Sequence, residues 1–167
     1  MSEPRYSESV DIARAPHEVY ALVSDVTRMG RWSPVCKACW WDEGAGPQVG
    51  AWFTGRNETP ERTWETRCRV VAAEPDREFA WEVVVEGTGW VRWGFTVEPL
   101  APASAGESAG AGTRLTQHWH FLPAGLAGFR ERFGDRADAE IAARTEAAHA
   151  GIPATLAAIK ADAEHAA

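Results

Sequence analysis

Two short spacings in this chain could carry chemistry. Cys36-Lys37-Ala38-Cys39 has the C-x-x-C spacing used by thiol redox sites and zinc half-sites. His118-Trp119-His120 sets two imidazoles on one side of an extended strand, a spacing some metal sites use. Positions three apart in a strand point to opposite faces, so the two thiols meet only if the backbone turns between them. Cys68 stands alone, and no third ligand lies near the histidines in sequence. The expectation is therefore no metal and no cofactor, with the cysteines as small strand residues. A different kind of chemistry needs only hydrogen-bonding side chains on an apolar surface. Asn57, Thr66 and Gln117 are candidates for it, provided the elements carrying them turn them inward.

Those elements can be read from periodicity. Tyr6–Ala13 alternates with period two and predicts a strand. Ala15-Pro16 opens a helix, since proline is tolerated at the first helical position, and Val19, Leu22, Val23 and Val26 give it one apolar face. Asp25–Arg31 predicts a second short helical piece ending at Trp32-Ser33-Pro34. Cys36–Asp42, Val49–Glu58, Arg62–Ala73, Arg77–Glu86, Gly89–Pro99 and Thr113–Leu122 predict strands separated by Gly- and Pro-containing turns, short enough for antiparallel hairpins. Ala101–Gly112 is low in complexity and predicts a flexible hairpin tip. Pro123–Phe133 predicts a helical lead-in, with a break at Gly134-Asp135. The terminal helix carries Ile141, Thr145, Ala148, Ile152, Leu156, Ile159 and Ala163 on one stripe, with an interruption expected at Pro153.

Parity assigns the faces. Phe79, Trp81, Val83 and Val85 share one side of their strand, and Val91, Trp93, Phe95 and Val97 one side of the next. Trp64, Thr66, Cys68 and Val70 align, as do Val49, Ala51, Phe53, Gly55 and Asn57, and Leu115, Gln117, Trp119 and Phe121. The opposite faces carry Arg, Glu and His, with Trp52 and Trp90 among them; outward tryptophans make a homodimer one expected use of that surface. One sheet and one long helix close a core only if the sheet curves around the helix. The predicted class is α+β: a curved antiparallel sheet of about seven strands around a long C-terminal helix, with two short helices after the first strand, in a single domain over residues 1–167. An elongated aromatic cavity follows. Its expected ligand-facing residues are Phe53, Asn57, Trp64, Thr66, Phe79, Trp81, Trp93, Phe95, Gln117 and Trp119.

Composition bounds the partners. Hydrophobic residues make up 45% of 167, enough for a core, and nine tryptophans stand beside two tyrosines. Seventeen Lys and Arg against 24 Asp and Glu give a net charge of −7, which argues against nucleic acid. No apolar run approaches the ~20 residues that span a bilayer, so membrane insertion is not expected. The N-terminus lacks a basic-then-apolar signal layout, and a cytoplasmic location is expected.

The order of elements, with Ala15-Pro16-His17-Glu18-Val19-Tyr20, Val23-Ser24-Asp25-Val26, Met29–Pro34, Gly50–Asn57, Gly112–Leu115 and Thr155–Lys160, resembles the SRPBCC superfamily. This is the group of helix-grip proteins that includes START lipid-transfer and pollen-allergen-like proteins, and the closest resemblance is to its polyketide cyclase/dehydrase-like branch. The resemblance implies binding of a hydrophobic, polycyclic or lipid-like small molecule. Two alternatives stay open: a polyketide aromatase/cyclase or dehydratase using the same cavity, and an interaction module like the Hsp90-ATPase activators. No catalytic residue is assigned, because parity turns every acid, imidazole, Lys and Arg of the five strands outward. Three routes could return one: a bulge turning His118 or His120 inward, Arg56 at the mouth, or Arg130, Glu140 or Arg144 from the covering helices.

Overall fold

The computed structural model describes residues 3–101 and 112–165. Strand β1 (Arg5–Ile12) is followed by helix α1 (Pro16–Val23) and a 3-10 turn (Val26–Arg31). Six strands come next: β2 (Cys36–Trp41), β3 (Trp52–Thr59), β4 (Arg62–Glu74), β5 (Glu78–Val85), β6 (Thr88–Pro99) and β7 (Thr113–Phe121). Helix α2 (Pro123–Phe133), a 3-10 turn (Gly134–Arg136) and the 29-residue helix α3 (Ala137–His165) complete the chain. All seven strands form one antiparallel sheet, ordered β1-β7-β6-β5-β4-β3-β2. Most of the expected hairpin tip lies outside the described residues; its base is closed by the Leu100 amide donating to the Gly112 carbonyl at 3.0 Å.

The sheet curls until both edges flank the same helix. On one side, Tyr6 of β1 stacks on His149 of α3 with ring centroids 4.0 Å apart. On the other, a Cβ at Gly151 would lie 3.9 Å from Pro34, which leads into β2. Ala148, Ile152, Leu156, Ile159 and Ala163 supply the buried stripe of α3. Trp32 Nε1 donates to Asp162 Oδ2 at 2.9 Å and ties the 3-10 turn to the same helix. The interruption expected at Pro153 does not occur, and α3 runs through it. Pro153 is exposed, and buried Ile152 and Thr155–Leu156 hold the helix to the sheet on either side of it; the cost of one lost backbone bond is met by that packing.

Four local features depart from simple alternation, one of them a register shift between Val70 and Ala72 where β4 pairs with β5. Gly50 adopts φ +90°, so Val49–Ala51 lead into β3 instead of belonging to it, and Val49 is exposed. Between β5 and β6 the register passes from Val83–Val91 to Val84–Gly89 and skips Trp90. That bulge turns Trp90 away from the expected outer surface and onto α2, where its ring centroid lies 6.0 Å from that of Phe129 and under the Arg132 guanidinium. Between β2 and β3 the register shifts between Cys36 and Ala38, bulging the strand at Lys37.

The bulge at Lys37 rests on the backbone of Gly30, where a side chain would overlap the Lys37 carbonyl. Gly30→Ala should therefore lower stability by about 1–3 kcal/mol, the usual cost of forcing extra volume into a packed contact. Urea denaturation reads that loss; an unchanged midpoint would show that the bulge moves aside freely.

Candidate functional site: the concave face of the sheet

The pairing register arranges the concave face in cross-strand rows. Cys36, Asn57 and Trp64 form the first row, and Cys39, Gly55 and Thr66 the second. Trp41, Phe53, Cys68, Val83, Val91 and Phe121 make the third. Val70, Trp81, Trp93, Trp119 and Tyr6 follow, then Ala73, Phe79, Phe95, Gln117 and Glu8. The ten residues expected to face a ligand share this face, while Val49 and Ala51 precede β3 and lie outside the rows.

Their environments differ. Phe79 and Phe95 are fully buried, and Phe53, Trp81 and Trp119 nearly so. They meet at tilted or edge-on angles: Phe53–Trp81 and Phe79–Trp81 at 5.8 Å, Trp81–Phe95 at 6.0 Å and Trp93–Trp119 at 6.4 Å between centroids. This corrects the expectation of an open hollow lined throughout by aromatics, because the lower rows are packed core. Asn57, Trp64, Thr66 and Trp93 keep partial exposure, as do Cys36, Cys39, Trp41, Val83 and Val91. Phe129 of α2 reaches this region and packs edge-on against Phe121 at 4.9 Å. A groove of about 450 Å³ runs along the seam of β1 and α3, between Glu8 at the end of the Gln117 row, Val10, Leu156 and Lys160.

The three expected polar residues do not converge. Asn57 Nδ2 donates to Thr66 Oγ1 at 3.3 Å, and Thr66 Oγ1 donates to the Gly55 carbonyl at 3.5 Å, so these two form one unit. Gln117 stands three rows further along, about 20 Å in the strand direction. It is 3% exposed, and its Oε1 has no hydrogen-bond partner among the described residues. A buried carbonyl oxygen left unpaired costs ~1–3 kcal/mol, so this acceptor needs an explanation.

The routes by which an acid or base could reach the face resolve as follows. His118 shares a hydrogen bond with Thr96 Oγ1 at 3.0 Å on the convex side, and burial lowers its pKa below the ordinary imidazole range. His120 meets the Glu3 carboxylate and Arg5 on that same side. β7 pairs with both neighbours without a register shift, so nothing turns either imidazole inward. Arg56 is exposed and pairs with Glu58 at 3.8 Å, and Arg130 is exposed on α2. Glu140 and Arg144 pair at 2.9 Å on α3, with the guanidinium 5.4 Å from the Phe129 ring centre, and are half-buried.

The cysteines are where the sequence reading fails. Cys36 and Cys39 point the same way, with sulfurs 3.2 Å apart, because the bulge at Lys37 supplies the turn that a regular strand lacks. Ser33 Oγ accepts from the amides of Val35 and Cys36 at 3.2 and 2.9 Å and fixes the chain entering β2. Gly55 lies opposite, where a Cβ would sit 3.4 Å from Cys39 Sγ and 3.6 Å from Cys36 Sγ. The hydrogen bond from the Cys39 thiol, and the Lys37 charge beside it, lower the Cys36 pKa. That same bond, with burial, raises Cys39, while burial pushes Cys68 up to about 12. Among the described residues no cluster of three His, Cys, Asp or Glu side chains is placed to hold a metal ion.

Seven strands curled around a terminal helix, with an aromatic concave face, define a helix-grip protein of the START-like SRPBCC kind. The chain belongs to the family described as polyketide cyclase / dehydrase and lipid transport, whose model matches residues 3–164. Among solved structures it is 48% identical to the Polyketide_cyc-like protein Cgl2372 from Corynebacterium glutamicum, covering 99% of this chain and 96% of that one with a TM-score of 0.67. More distant fold neighbours include the di-domain ARO/CYC StfQ of the steffimycin biosynthetic pathway, at 16% identity over 98% of this chain and 51% of that one, TM-score 0.65. A START superfamily protein from Mycobacterium smegmatis matches at 16% identity over 89% and 97%, TM-score 0.52. A search of curated proteins finds no match. Among the described residues no helix is long and apolar enough to cross a membrane.

Proposed function

We propose that the protein binds an elongated, hydrophobic, ring-containing or lipid-like small molecule along its concave face. The observation that carries this reading is the Gln117 carbonyl oxygen, buried with no partner among the described residues beside the aromatic rows. A ligand hydroxyl or N–H there would satisfy it. At the other end, Asn57 and Thr66 offer a second polar contact beside half-buried Trp64. Between them, Trp93 presents a partly exposed indole for stacking, and burial of ligand rings there supplies affinity at ~25 cal/mol per Å² of apolar surface. The family's description, which joins cyclases to lipid transport, supports a hydrophobic ligand.

The aromatase/cyclase reading draws on the ARO/CYC neighbours and on the Glu140–Arg144 pair, which stands on the covering helix near Phe129. There the protein would act mainly by holding a chain in a reactive shape. Binding is preferred because both β7 imidazoles and Arg56 are engaged on the convex side, and Glu8 at the edge of the concave face accepts from the Tyr6 hydroxyl.

Intrinsic tryptophan fluorescence, titrated with polycyclic aromatics and long-chain fatty acids, tests the proposal. Saturable quenching should appear in the wild type and in Trp52→Leu, whose indole lies on the convex face between Arg67 and Arg69. Trp93→Leu should lose most of it. The reading fails if no compound perturbs the signal, or if Trp93→Leu responds like the wild type.

A further inference from the structure

We propose that Cys36 and Cys39 form a redox-active dithiol on the concave face, converted by hydroperoxides to an intrachain disulfide. The argument is geometric. The two sulfurs face each other at 3.2 Å, so a modest side-chain rotation brings them to bonding distance. The bulge that aims them is built by the sequence: Ser33 Oγ holds the Cys36 amide, Gly30 admits the Lys37 carbonyl, and Gly55 leaves the space in which the thiols meet. Both cysteines are half-buried, open enough for a small oxidant, whereas Cys68 is buried and its Sγ lies 4.0 Å from Thr66 Oγ1.

The roles divide by environment. Cys36, favoured as thiolate by the Cys39 hydrogen bond and by Lys37, is the attacking sulfur. Its electron pair attacks one peroxide oxygen and the O–O bond breaks. The leaving oxygen takes a proton to become water (or an alcohol from an organic hydroperoxide), and Cys36 becomes a sulfenic acid. Of the effects that raise Cys39, its bond to the Cys36 sulfur and the charge of that sulfur are lost once Cys36 is oxidised, while burial remains. Cys39 then attacks the Cys36 sulfur, the S–S bond forms, and hydroxide leaves with the Cys39 proton as a second water. Two thiols lose two electrons, and the peroxide gains them.

The sequence provides its own assay, because Lys37 lies between the two cysteines. The full chain, at low concentration, is treated with hydrogen peroxide, alkylated and cut with trypsin. If the disulfide forms, the peptide ending at Lys37 and the peptide starting at Ala38 stay joined and separate only on reduction. Intact mass should fall by two hydrogens, and the thiol count of three should drop by two. Cys39→Ser should instead accumulate a sulfenic acid at Cys36 that dimedone traps, and Cys68→Ala should oxidise like the wild type. The proposal is overturned if both thiols remain alkylatable after peroxide, if Cys68→Ala abolishes the change, or if the only linkage joins separate chains. Circular dichroism checks that Cys39→Ser folds like the wild type; a folded Cys39→Ser chain that dimedone labels at Cys36 completes the support, and one that dimedone leaves unlabelled refutes Cys36 as the attacking sulfur.

Discussion

Phe95→Ala should lower the stability of the chain by about 3–5 kcal/mol, the cost of a large cavity opened in a rigid core. Phe95 is fully buried, with Phe79 and Gln117 as its neighbours across the sheet and the Trp81 ring 6.0 Å away. Neighbours pinned on two strands have little freedom to collapse into the space. Chemical denaturation measures the loss directly. The contrast with Trp93 carries the interpretation: Trp93, half-buried one row above, should cost less stability when truncated and more ligand response. If Phe95→Ala instead kept its midpoint and lost ligand binding, Phe95 would face the ligand as Gln117 beside it does, and its assignment to packed core would be wrong.

Gln117→Leu should move stability and affinity in opposite directions. In the ligand-free protein the substitution removes a buried acceptor that has no partner among the described residues, and leucine fills a similar volume; stability should rise by about 1–3 kcal/mol. With ligand bound, the same change removes the hydrogen bond that this oxygen would accept. Affinity should fall roughly 3- to 10-fold, corresponding to ~0.5–1.5 kcal/mol for one net hydrogen bond. Thermal melts with and without the fluorescence-identified ligand measure both. A purely structural glutamine would give the reverse in the free protein, a clear destabilisation, and would leave affinity untouched.

The sequence was most informative where alternation was uninterrupted. β7 reads Thr113, Leu115, Gln117, Trp119 and Phe121 on one side, and all five are buried. Parity therefore found Gln117 as an inward amide. Parity could not find how far Gln117 lies from Asn57 and Thr66, because that distance depends on which residues pair across four intervening ladders, and pairing is set by turns and bulges rather than by composition. The same limit explains two of the differences. A bulge inserts one residue without changing residue types, so nothing in Cys36–Trp41 or Thr88–Pro99 marks Lys37 or Trp90 as the extra one. Ser33-Pro34 ahead of β2 was the available hint for the first. Pro153 was misread for a different reason: local propensity was weighed without the buried contacts that hold both halves of α3 in line.

The bulge in β2 also bears on how the protein behaves in a crowd. β2 is an outer strand of the sheet, and such strands offer unpaired amides and carbonyls on which a neighbouring molecule can lay a strand of its own. Here the Cys36 amide is already taken by Ser33, Lys37 places a cation at the kink, and Pro34 brings no donor to the segment ahead of it. The irregularity that brings two sulfurs together thus also spoils the flat template from which intermolecular polymerisation would start.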